Sequence, residues 1–153
     1  MEHLKKGTVE SSEFVEATFN FWFIDNQHIR SPFPAYMQDK LKGESVNRFY
    51  AWVAQLEDEA KKEVNDDIVT EKFEEIIFEE ALKLAMTEDD RITICYPFLP
   101  RLGDQVNDET NAQKHNSKIT HRAITKEKDE TFMKVKLKSE SDFAWETKFE
   151  LPL

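Results

Sequence analysis

A single cysteine, Cys95, leaves this chain without an internal disulfide and without the cysteine pairs of a multi-cysteine metal site. Three glycines leave little material for glycine-rich phosphate loops. The dinucleotide fingerprint, the P-loop, the nucleophile elbow and the zinc-protease helix pattern are all absent. No run approaches the ~20 apolar residues of a membrane span. The opening MEHLKKGTVESSEF holds no apolar core of a leader peptide. These absences lead to the expectation of a soluble, cytoplasmic protein with no cofactor.

Basic residues are scarce in the first part of the chain. Residues 1–90 hold 10 Lys+Arg against 21 Asp+Glu, a balance of −11, whereas residues 91–153 hold 11 against 10, a balance of +1. The whole chain carries −10. An acidic field of this kind repels nucleic acid and anionic membrane surfaces, so neither is an expected partner. It favours a basic protein.

Aromatic residues are plentiful: 12 Phe, 3 Trp and 3 Tyr argue for a packed core and against disorder. The length of 153 residues suits a single domain, 1–153, able to bury a core without staples. The expected organisation is a helical part, 1–90, and a strand part, 91–153, with a long loop over 97–117.

The stretch Thr70 to Met86, TEKFEEIIFEEALKLAM, reads as the central helix. It has no Gly or Pro, and its residues favour helix. Phe73, Ile76, Ile77, Ala81 and Leu84 define one face, while Phe78, Leu82 and Ala85 widen the apolar arc. An arc that wide implies packing by other helices and by the sheet. Glu71, Glu75 and Glu79 form a row at i, i+4, i+8, read as a solvated face. Glu80 falls within the apolar arc. The expectation is that it lies at the arc's edge and reaches water; buried, it would need a partner or a raised pKa.

Before the central helix, Ser11 or Ser12 can cap a helix whose face holds Val15, Phe19, Trp22 and Phe23. TFNFWFI also alternates like a strand, but helix is the preferred reading. Ser31-Pro32-Phe33-Pro34 is a loop whose Phe33 plugs the core. Ala35 to Lys42 suits a short helix stopped by Gly43. Ser45 then caps a longer helix to about Val64, with Val46, Phe49, Tyr50, Val53, Leu56 and Ala60 inward. Trp52 lies off that face and packs against the first helix.

After the central helix, RITICY (Arg91 to Tyr96) reads as a short β-branched strand in which Cys95 is an inert small hydrophobe. The stretch Pro97 to Ser117 lacks periodicity beyond Leu102, and loops of that length are often functional or disordered. Its chemically capable side chains are Arg101, Asp104, Asp108 and His115. The last third reads as a three-stranded meander over 118–127, 131–139 and 143–151. A three-residue turn at 140–142 sets Leu137 opposite Trp145, Met133 opposite Phe149, and Lys136 opposite Glu146. The expected fold class is therefore α+β, with three or four N-terminal helices packed on a small C-terminal antiparallel sheet.

His115 and His121 are six residues apart and match no zinc spacing, so no metal is expected. Lys134, Lys136 and Lys138 form a basic stripe broken by Glu146 and Glu150, read as a solubilising face rather than a nucleic-acid surface. The leading functional reading is a non-catalytic protein-interaction domain, an adaptor or an inhibitor- or immunity-type protein. It would dock a basic partner on its acidic helices, including Glu57, Asp58 and Glu59, with Arg101, Asp104 and His115 as further binding residues. The alternative is a small-ligand binder or enzyme with a cleft between the central helix and the sheet. There Glu80 and His121 would act as acid and base and Arg101 as an anion clamp. A third reading is homo-oligomerisation through Trp22, Phe33 or Trp52.

Overall fold

A computed structural model describes residues 9–56, 62–108 and 110–151. Its class is α+β, with helices N-terminal and an antiparallel sheet C-terminal. The chain divides into two compact units, Met1–Pro97 and Phe98–Leu153.

The first unit is helical. Helix α1 spans Val9–Phe23, which settles the helical reading of TFNFWFI. Ser11 lies inside its first turn rather than before it, is fully buried, and shares a hydrogen bond with the Tyr50 hydroxyl. Helix α2 spans Ala35–Gln55 as one piece, with Pro34 at its N-cap. The expected stop at Gly43 and cap at Ser45 are both overturned. Met37, Leu41, Ser45, Phe49 and Val53 follow one another at i+4 and are all buried. Burying that continuous face outweighs the ~1 kcal/mol that a mid-helix glycine costs. The helix ends at Gln55, short of the expected Val64; Glu57, Asp58 and Glu59 fall outside the described residues.

Helix α3, Asp66–Leu84, is the expected central helix. Asn65 caps it, accepting from the Ile68 amide at 2.9 Å. Asp66 and Asp67 at its start and Lys83 at its end complement the helix dipole. Val69, Phe73, Ile76, Ile77 and Ala81 are buried, and α3 packs along α2 and against the following helix. Phe73 sits among rings from two other helices: Phe14 at 5.7 Å, Phe19 at 5.5 Å and Phe49 at 4.6 Å between centroids. Phe33 plugs this core, as expected, at 5.2 Å from Phe23 and 5.1 Å from Phe78.

Helix α4 spans Glu88–Cys95, so the strand expected at RITICY is a helix. Thr87 caps it, accepting from the Asp90 amide at 3.0 Å, and Glu88, Asp89 and Asp90 fill the first turn. Thr-x-x-Asp is a helix-start signature that outweighs the β-propensity of Ile92, Thr93 and Ile94. The Tyr36 hydroxyl ties α4 to the start of α2, donating to Asp90 Oδ2 at 2.7 Å and accepting from the Met86 amide at 3.0 Å.

The second unit is a four-stranded antiparallel sheet in the order β1 (Gln105–Val106), β2 (Ser117–Glu127), β3 (Glu130–Lys138), β4 (Ala144–Glu150). The meander has the expected register: Leu137 faces Trp145, Met133 faces Phe149, and Lys136 faces Glu146. Met133, Val135 and Leu137 are buried and their lysine neighbours exposed. The stretch read as a featureless loop contributes β1 and a 3-10 turn, Ala112–Lys114. At its start Gly103 takes φ 84° at the third position of the turn Arg101–Asp104, a conformation that favours glycine. That turn bonds to β2 through Gly103 N to Ile119 O at 2.9 Å and Ile119 N to Asp104 O at 3.0 Å.

Candidate functional site

In the helical unit an apolar groove runs between α1 and α3, with a volume of about 400 Å³. Phe14, Ala17 and Phe21 line it from α1 at i, i+3 and i+7, the spacing of one helical stripe. Trp22 joins them, and Thr70 and Glu74 line it from α3, one turn apart. The indole Nε1–H of Trp22 donates to Glu74 Oε2 and so ties the two walls together. Phe78 packs edge-on against Trp22 at 4.8 Å and Phe21 at 5.1 Å, which fixes the indole plane. Phe21 remains 41% exposed, a large apolar ring open to solvent at the groove's end.

The helices that flank this groove are acidic in composition. Helix α1 carries Glu10, Glu13 and Glu16 and no lysine or arginine. The first three turns of α3 carry Asp66, Asp67, Glu71, Glu74 and Glu75 with one cation, Lys72, which pairs with Glu75 at 3.6 Å. Among the described lining residues Glu74 is the single ionisable group. An apolar floor with one carboxylate can hold an apolar side chain beside a cation.

Glu80 is buried, 7% exposed, and does not reach water at the arc's edge. Arg48 of α2 binds its Oε1 at 3.1 Å, and Lys83, one turn further along α3, binds the same oxygen at 3.0 Å. Arg48 also reaches Glu79 Oε2 at 2.7 Å. Burial pushes the Glu80 carboxyl up, but the hydrogen bonds from Lys83 and Arg48 together outweigh it and hold the group below its ordinary value. A carboxylate kept ionised in this way is a structural tie between α2 and α3. A general acid needs the opposite shift.

Of the remaining sequence candidates, Glu57, Asp58 and Glu59 fall outside the described residues, Cys95 belongs to the helical unit, and Arg101, Asp104, Asp108, His115 and His121 belong to the sheet unit. Arg101 and Asp104 are brought together in one turn, where the Asp104 carboxylate accepts from the Arg101 amide at 2.8 Å. His115 follows the 3-10 turn and donates its backbone amide to Ala112 O. Asp108 is held below its ordinary value by hydrogen bonds from the Thr110 hydroxyl and amide, and faces Lys114 at 3.9 Å. His121 does not share an inward face with Ile119. A bulge between Ile119 and His121 turns the imidazole outward and sends Arg122 inward instead, to the Pro100 carbonyl at 2.9 Å. Cys95 ends helix α4, exposed; burial of its thiol, followed by the charge of Glu88, pushes its pKa up and keeps it protonated. Among the described residues no group of three or more His, Cys, Asp or Glu side chains is arranged to hold a metal ion, and no helix is long and apolar enough to cross a membrane.

Sequence reasoning passed over Glu74 and Arg48. Its reading of α1 also centred on Phe19 and Phe23, which are core, rather than on Phe14, Ala17 and Phe21. The available signal was the pairing of a second apolar stripe on α1 with the lack of any basic residue there.

Comparison with protein-family models, with curated proteins and with solved structures finds no match to this chain.

Proposed function

We propose that this chain is a non-catalytic protein-interaction domain, an adaptor or an inhibitor- or immunity-type protein, that presents an acidic helical surface to a basic partner. One observation carries the reading: the net charge belongs to one unit. Residues 1–97 hold 21 Asp+Glu against 11 Lys+Arg, a net −10, and residues 98–153 hold 10 of each. A field concentrated in this way steers a cationic partner to the helices and speeds encounter at low salt. Arg48, Glu79 and Glu80 of that unit join α2 to α3 through ion pairs, a structural use of these charges. The proposed setting is cytoplasmic, in keeping with one exposed, protonated cysteine.

The test is a pull-down from the source lysate at low and at high salt, followed by the dissociation constant of the retained partner against salt concentration. The reading requires a basic partner whose affinity falls with salt and falls again on neutralising Asp67, Glu71 and Glu75 together. A partner indifferent to both changes, or association only with further copies of the chain, would remove it.

A further inference from the structure

We propose that the groove between α1 and α3 is the docking site for an amphipathic segment of the partner, which seats a bulky apolar side chain beside a lysine or arginine. This rests on the reading above and adds the site and the chemistry it takes.

Shape and charge select the occupant together. The groove floor is apolar, built from Phe14, Ala17, Phe21 and Trp22, and its volume of about 400 Å³ admits a large side chain. An apolar anchor from the partner would cover the exposed edge of Phe21 and the Trp22 ring, the kind of aromatic centre on which binding energy concentrates. Glu74 supplies the polar contact. Trp22 occupies its Oε2, and a carboxylate accepts at both oxygens, so Oε1 can receive a cation at the groove floor. Beyond Glu74, the two flanking helices carry nine carboxylates against two lysines, Lys72 and Lys83, which pair with Glu75 and Glu80 on their own helix. An acidic segment would meet like charge on both sides and a neutral one would gain nothing from the field, whereas a basic one meets complementary charge. A second copy of the chain is a poor occupant on the same ground, because the helical unit is itself net −10. In the sheet, Lys134 and Lys148 pair with Glu127, at 3.3 and 2.6 Å, and Lys138 pairs with Asp142.

The probe is a synthetic peptide of leucine and lysine in helical patterning, compared with leucine–glutamate and serine–lysine peptides of the same length. Binding is followed by the indole N–H resonance of Trp22 in the full chain and by titration calorimetry. The expected result is that the leucine–lysine peptide alone binds, moves the Trp22 resonance, and loses about tenfold or more in affinity with Phe21→Ala and with Ala17→Arg. Both substituted residues face the groove, and both are on the exposed side of α1, so the fold should tolerate them. Glu74→Gln, which keeps an acceptor for Trp22, should weaken the lysine peptide while leaving the thermal midpoint nearly unchanged. Equal binding of the glutamate peptide, binding unaffected by either groove variant, or no binding at all would overturn the groove. Salt-dependent capture of a basic partner that survives Phe21→Ala and Ala17→Arg would overturn the groove and leave the acidic-surface reading standing. Self-association abolished by the two variants would identify a second copy as the occupant and overturn the inference.

Discussion

Arg48 of α2 holds Glu80 of α3 at 3.1 Å, and it does so where Glu80 is 7% exposed. The pair brings a carboxylate into the apolar arc of the central helix, and Lys83 completes its neutralisation from one turn further along α3. Removing one partner leaves an under-compensated buried charge, which costs more than the pair itself contributes. Arg48→Met should therefore lower the unfolding free energy by about 1–2 kcal/mol. That is less than the roughly 3–5 kcal/mol of a fully buried pair, because the Arg48 side chain is 40% exposed and Lys83 remains. Urea denaturation reads the difference. An Arg48→Met midpoint equal to that of the parent would mean that the tie is a surface contact.

The same carboxylate sets a pH dependence. Its folded pKa lies below the ordinary value, so the folded state favours the ionised form. That stability is fully present above the unfolded glutamate value of about 4.3 and is lost as pH falls through the lower folded value. Glu80→Gln should be less stable than the parent at neutral pH, and the gap should close as pH drops from about 5 toward 3. Parallel stability curves for the two proteins across that range would contradict the assignment.

Gly43 lies in the middle of α2, and apart from its chain neighbours and the helix's own backbone no atom comes within 4 Å of where a methyl group would sit. Nothing in the tertiary structure requires a glycine there. Gly43→Ala should raise stability by about 0.5–1 kcal/mol, from helix propensity and reduced freedom of the unfolded chain. A loss of stability would mean that the helix breaks at this residue in solution, as the sequence alone suggests.

Thr87 starts the helix that holds RITIC. Its hydroxyl caps α4 on the Asp90 amide. Thr87→Ala should cost about 1 kcal/mol, and Thr87→Ser or Thr87→Asn should restore it. Equal stability for all four proteins would favour the β-branched reading of the segment over the helical one.

In the sheet, the Ser117 hydroxyl is fully buried, donates to the Lys114 carbonyl at 2.7 Å and accepts from the Trp145 indole at 2.8 Å. Lys114 also stands over the Trp145 ring, 4.6 Å from its centroid. Ser117→Ala strands a partly buried indole donor and a carbonyl, and should cost about 1–3 kcal/mol with a shift in Trp145 emission. Unchanged emission and midpoint would show that water replaces the hydroxyl without loss.

Periodic patterns were legible in the sequence wherever one face of an element is buried. The alternation of Met133, Val135 and Leu137 against lysines fixed the β3 register, since a one-residue slip would expose the whole apolar set. The face of Phe73, Ile76, Ile77 and Ala81 placed α3 for the same reason. Tertiary contacts decided the rest. Gly43 is carried through α2 because the buried face runs unbroken across it, and a local stop signal worth ~1 kcal/mol cannot compete. Of the two partners of Glu80, Lys83 lies at a helical i, i+3 spacing, but Arg48 is 32 positions away in the chain, a distance that no helical or strand period spans. The bulge at Ile119 and His121 exchanges which of His121 and Arg122 points inward, and a single inserted residue leaves no trace in a period of two. The groove of Trp22 and Glu74 likewise exists because two helices approach across 52 positions. Composition and periodicity thus determined the α+β class, the acidic helices and the strand register. Which charges are paired, and which aromatic rings stay open, was decided by packing between elements, where the energy of burial acts on residues that the sequence keeps far apart.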